Sequence, residues 1–178
     1  MENSDIITNG AANTEYLDLV NEISSLWDNA KNRACTAVNG ELLEANWNTG
    51  KYIVEFEQHG NERAEYGSKL LTRLSKDLTL RKGKGFNRSN LIYMRKLYIA
   101  FPICGTVSHK LTWSHYYELL KCDDKMEMNF YFNESIKENW TVRELKRQMK
   151  SSLFQRIALS TDKKGVLELA NKGHQVQR

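Results

Sequence analysis

Proline is nearly absent from this sequence: Pro102 stands alone among 178 residues, and glycine numbers ten. Chain breakers are therefore sparse, and helices should dominate over turn-punctuated structure. Cysteine is scarce too. Cys35, Cys104 and Cys122 are an odd number without a CxxC pair, which argues against a disulfide framework and fits a reduced, cytoplasmic setting. No stretch approaches the roughly 18 uninterrupted apolar residues that a membrane helix needs. The opening MENSDIITNGAANTE lacks the basic-then-apolar order of a signal peptide, and its Asn, Ser, Thr and Gly content reads as a disordered lead-in over residues 1–14. What is left has the length of one ordinary domain, 40% hydrophobic and able to bury a core.

Charge of one sign is missing by region. Residues 1–62 carry three Lys/Arg against eleven Asp/Glu, whereas residues 63–178 carry 23 against 11. Within 61–100, ten basic residues meet three acidic ones. An acidic leading part followed by a basic body is the asymmetry of a polyanion binder. The plainer alternative is a solvated basic face with no partner.

A recognisable catalyst is also lacking. Cleavage of phosphodiesters usually needs clustered carboxylates around a divalent metal. The nearest fragment, Glu144-Leu145-Lys146, falls in the first turn of an expected helix, where Glu144 has a capping role. Cys104, His109, His115 and Cys122 form a C-x4-H-x5-H-x6-C series whose spacings match no common zinc module, so buried thiols and ordinary histidines are the better reading. Gly83-Lys84-Gly85 lacks the Walker pattern of a phosphate loop. No metal, cofactor or small-molecule substrate is expected, and the chain should not be an enzyme by itself.

What is present is helical periodicity. Tyr16, Leu19, Val20, Ile23, Leu26, Trp27 and Ala30 begin an apolar stripe that continues to Tyr52, Ile53 and Phe56. Asn39-Gly40 and Gly50 are places where this long element could kink, and His59-Gly60-Asn61 should stop it. Leu70, Leu71, Leu74 and Leu78 mark a second helix, broken by the basic turn Arg81-Lys82-Gly83-Lys84-Gly85. Asn87 or Ser89 can cap a third, carrying Leu91, Met94, Tyr98 and Phe101 on one face. Three shorter helices follow over 112–156, the last opened by the capping-box pattern Thr141-Val142-Arg143-Glu144. Trp113, Tyr116, Phe130, Tyr131, Phe132 and Trp140 give this unit an aromatic density suited to a core or a dimer contact. From Ala158 the pattern decays into a tail or linker over 158–178.

The expected fold is all-α: a helical domain over 15–157, with a helix-turn-helix unit around 65–101 preceded by a long N-terminal helix. In helix-turn-helix geometry the start of the second helix reaches base edges in the major groove. Arg88 and Asn90 stand there, and these residue types pair bidentately with guanine and adenine. Lys69, Arg73, Lys76, Arg81, Lys82, Lys84, Arg95 and Lys96 would serve phosphates, and Tyr93 could stack or bond to the backbone. Arg143, Lys146 and Arg147 on the last helix are further candidates. DNA is the expected partner, with a homodimer as a second expectation.

Four ordered blocks carry a family resemblance: LLEANWNTGKYI (42–53), GFNRSNLIYMRKLYIAF (85–101), LTWSHYYELL (111–120) and NWTVRELKRQM (139–149). Together they resemble the N-terminal domain of YhcG-type proteins, over about residues 16–157. The resemblance implies a helical, winged-helix-like, DNA-binding domain that precedes a PD-(D/E)xK nuclease domain. Phe86, Arg88, Asn90, Leu91, Met94 and Arg95 match the family's central block; Trp113, Ser114 and His115 its second; Trp140, Val142, Arg143, Leu145 and Gln148 its third. Asn87 and Ser89 stand where Ser and Arg are more usual. No segment of this chain corresponds to the nuclease domain.

Overall fold

With few glycines and one proline to interrupt it, the backbone satisfies its hydrogen bonds almost entirely within helices. The computed structural model describes residues 3–58, 69–104, 107–108 and 110–167, with side chains from residue 13 onward. The order is α1 (Asn3–Gln58), α2 (Leu70–Lys82), α3 (Arg88–Ala100), α4 (Trp113–Leu119), α5 (Lys125–Lys137), α6 (Val142–Lys150) and α7 (Leu153–Leu159), then a helical turn over 163–167. No strand occurs among the described residues. The class is all-α, and a β-hairpin wing has no counterpart among them. The segment 1–14, read from composition as a lead-in, is helical from Asn3. The expected stop at His59-Gly60-Asn61, the approach residues 65–68 and His109 lie outside the described residues.

Two compact units divide the chain, 1–39 and 40–178. The first consists of the leading part of α1, and from Asn13 its side chains are almost all exposed.

The second unit holds the core. Its main cluster joins Leu43, Trp47, Leu97, Phe101, Tyr116, Leu119, Tyr131, Trp140, Leu145 and Leu153. A smaller cluster joins Ile53 of α1 to Leu71 of α2 and to Leu91 and Met94 of α3. Trp113 packs against both. Gly50 does not kink α1. A Cβ there would overlap the Met94 carbonyl oxygen, so glycine lets α1 lie directly against the α3 backbone. Trp47 closes the other end of that contact, donating from Nε1 to the Phe101 carbonyl at 2.6 Å, where Pro102 cannot continue the helix. The tail is not wholly detached, since Val166 and Leu167 pack partly against the main cluster.

Helix ends follow local chemistry. The Asp124 carboxylate accepts from the Met126 N–H, and the Thr141 hydroxyl accepts from the Glu144 N–H. Asn139 takes φ 51° after α5, and the Trp140 N–H reaches back to the Ser135 carbonyl at 3.0 Å. This left-handed closure turns the Trp140 side chain into the core.

Candidate nucleic-acid interface

The α2–α3 turn is built by residues that suit its backbone. Gly83 and Gly85 take φ values of 84° and 114°, which side chains disfavour. Asn87 then caps α3 through Oδ1, accepting the Asn90 N–H at 2.9 Å. The Asn90 side-chain amide in turn donates to the Gly85 carbonyl at 2.8 Å. Asn90 is thus the clamp of the turn, and this bond must open before its amide can pair with a base edge. Arg81, Lys82, Lys84 and Arg88 are all exposed around this clamp. Among the described residues none of the four meets a carboxylate.

The other candidates are divided by their partners. Lys69 stands before α2 and is exposed, as is Lys76. Arg73 lies 4.0 Å from Asp77 one turn on, an exposed pair of small energetic weight. Arg95 bonds to Glu57 of α1 at 3.1 Å, tying α3 to α1. The Lys96 ammonium sits 5.4 Å over the Tyr93 ring, and that ring stacks obliquely on Tyr117, with centroids 4.1 Å apart. Arg143 is exposed.

Arg147 has a structural task. Its guanidinium grips the buried Glu144 carboxylate from both Nε and Nη2, while Gln148 Nε2 donates to the same carboxylate at 2.8 Å. Glu144 therefore belongs to a packed ion pair inside α6, and Glu144-Leu145-Lys146 has no metal-binding geometry. His115 is likewise committed. Its Nε2 donates to the Trp140 carbonyl at 3.0 Å, and its Nδ1 accepts from the Thr112 N–H at 3.2 Å. Burial lowers its pKa against the opposing Trp140 bond. Among the described residues no group of three His, Cys, Asp or Glu side chains converges on a metal position.

One cleft brings distant parts of the sequence together. A volume of about 360 Å³ is lined by Asn90, Trp113, Ser114, Tyr117, Glu118, Val142 and Lys146. The start of α3 and the start of α6 thus flank the same space. Glu118 lines it and accepts from Lys121 at 2.7 Å and Lys146 at 3.1 Å. Burial pushes the Glu118 carboxyl up, but the two lysine bonds outweigh it and hold it below the ordinary carboxylate range. Lys121 also lies 5.1 Å over the Tyr117 ring. Tyr117 and Lys121 escaped the sequence reading. Their i, i+4 spacing was legible, but its relation to Tyr93 exists only after α3 and α4 pack.

The class that fold and site define is an all-α domain with an exposed basic inter-helix turn and a polar, lysine-rimmed cleft. The chain belongs to the DUF1016 N-terminal domain family, whose profile matches residues 22–156. Over an alignment 185 positions long it is 33% identical to the Escherichia coli (strain K12) protein named "Putative nuclease YhcG", covering 86% of this chain. The chain spans about half, 49%, of that relative's length. These matches bear out the family resemblance. No solved structure matches.

Proposed function

We propose that this domain binds double-stranded DNA and positions a nuclease without itself performing cleavage. The observation that carries the reading is the exposed quartet Arg81, Lys82, Lys84 and Arg88, held on a turn whose shape is fixed by two positive-φ glycines and the Asn87–Asn90 clamp. Four cations with no carboxylate partner among the described residues neutralise phosphates without first breaking such pairs. Arg88 opens α3, where a helix N-terminus adds its own attraction for phosphate. Lys146 and Arg143 at the start of α6 extend the surface across the cleft. The matched relative is named a nuclease, and this chain covers the half that matches the N-terminal domain family.

Gel-shift titration against a mixed-sequence duplex over a salt series tests this. Each lost phosphate contact should lower the slope of log affinity against log salt by roughly 0.9. For each chain that engages the duplex, Lys82→Ala/Lys84→Ala should therefore reduce it by about two contacts, and Arg88→Ala by about one, adding a change in base preference if Arg88 reads sequence. An unchanged affinity and slope in both variants would end the assignment.

A second reading, a subunit-assembly module of the same nuclease without direct DNA contact, is favoured by the large apolar side chains exposed along the leading part of α1.

A further inference from the structure

Between Tyr16 and Trp27, Tyr16, Leu19, Val20, Ile23, Leu26 and Trp27 are 40–64% exposed. At 3.6 residues per turn all six fall on one stripe of α1, and Ala30, Ala34 and Ala37 continue it. The six present on the order of 650 Å² per copy, beyond the roughly 300–600 Å² of the largest patch on an ordinary monomer. A lone helix with that stripe in water is marginal, because most helical stability in proteins comes from packing an apolar face.

We propose that this stripe pairs with the same stripe of a second copy, the two helices running antiparallel. This deepens the assembly reading and does not depend on DNA binding. Two such faces would cover about 1,300 Å², within the roughly 1,200–2,000 Å² typical of stable interfaces. The distribution of side-chain size sets the direction. The large side chains concentrate over 16–27, the stripe carries only alanine over 30–37, and Val38 alone adds bulk just beyond, where an antiparallel partner brings its Tyr16 end. Antiparallel pairing lays Leu19, Val20, Ile23 and Trp27 against the partner's alanines, so the helices keep an even separation. Parallel pairing would set bulk on bulk at one end and leave a void between alanines at the other.

Charge selects the same direction. Glu15, Glu22 and Arg33 lie on one flank of the stripe by helical spacing. In an antiparallel pair that flank faces its own copy, which brings Glu22 toward the partner's Arg33 twice by symmetry. A parallel pair would instead align the acidic segment Glu15, Asp18, Glu22 with itself.

Light scattering on the whole chain without DNA should give twice the chain mass at micromolar concentration. Leu19→Glu/Ile23→Glu should bring it to the single-chain mass, with the main thermal transition kept because neither residue belongs to the core clusters. For direction, Glu22→Cys and Arg33→Cys are made separately in a Cys35→Ser background, mixed and oxidised. Mass spectrometry should find 22–33 disulfides in excess over 22–22 and 33–33. A single-chain mass for the unaltered protein, a dimer that survives the double Glu variant, or a majority of like-with-like disulfides would each overturn the proposal. None of these outcomes decides whether the chain binds duplex at all, so the DNA reading stands or falls separately.

Discussion

His115 holds α4 to the α5–α6 corner through Nε2 and caps the start of α4 through Nδ1, and the geometry requires the neutral ring. Thr112 donates its N–H to Nδ1, so protonating that nitrogen would remove an acceptor and place a charge beside buried Trp140. Burial depresses the folded-state pKa below the ordinary histidine range. The unfolded chain then binds the extra proton more readily, and stability present above about pH 6.5 is lost as pH falls toward the depressed value. Thermal melts should show a midpoint dropping between pH 7.5 and 5.5, and His115→Gln should flatten that drop. A midpoint rising with acidity over this range would contradict the assignment. Glu118 adds a second, more acidic loss of the same sign, because its lysine bonds depress a carboxyl. Burial pushes the Cys122 thiol up to about 11, whereas Cys35 lies exposed on α1.

At the level of elements, the contact of α1 with α3 is the most exacting in the domain. Alanine is the better helix former, and Gly50→Ala in an isolated helix would stabilise by about 1 kcal/mol. Here the added methyl overlaps the Met94 carbonyl oxygen and comes within 2.7 Å of its carbon, backbone atoms that cannot rotate away. The helices must separate, straining the Ile53, Leu91 and Met94 cluster. Overpacking of this kind costs about 1–3 kcal/mol. Denaturant unfolding of Gly50→Ala should therefore show a lowered midpoint, and a raised one would mean the helices do not approach so closely. The same contact aims α3. With Arg95 pinned to Glu57 and Asn90 pinned to Gly85, the start of that helix presents Arg88 outward from a fixed base.

For the whole molecule, the two proposals meet in one measurement. A dimer carries two basic turns, and a protein whose copies both engage a duplex releases counterions at each. The monomeric Leu19→Glu/Ile23→Glu variant should then bind duplex with about half the salt slope of the unaltered chain, while its per-chain contacts remain. An identical slope would mean that one turn does the binding even in the dimer. The chain spans about half the length of the curated relative it matches.

Much of the domain was legible because its signals are local. Helix identity followed from apolar spacing, and the α2–α3 turn from Gly83 and Gly85. Asn87 and Thr141 marked helix starts through capping, which depends only on residues two or three positions away. Composition misjudged 1–14, where α1 already begins at Asn3. Gly50 read as a possible kink, because nothing in α1 reveals that a second backbone lies against it. Arg147 looked like a phosphate ligand beside Lys146 until packing buried Glu144 and drew the guanidinium to it. The sequence by itself determined the helices, their caps and the basic turn, since those rest on neighbours along the chain. Only the tertiary structure decided which cations are paired, because partners such as Glu57 for Arg95 and Glu118 for Lys146 come from other helices brought together by burial of the core.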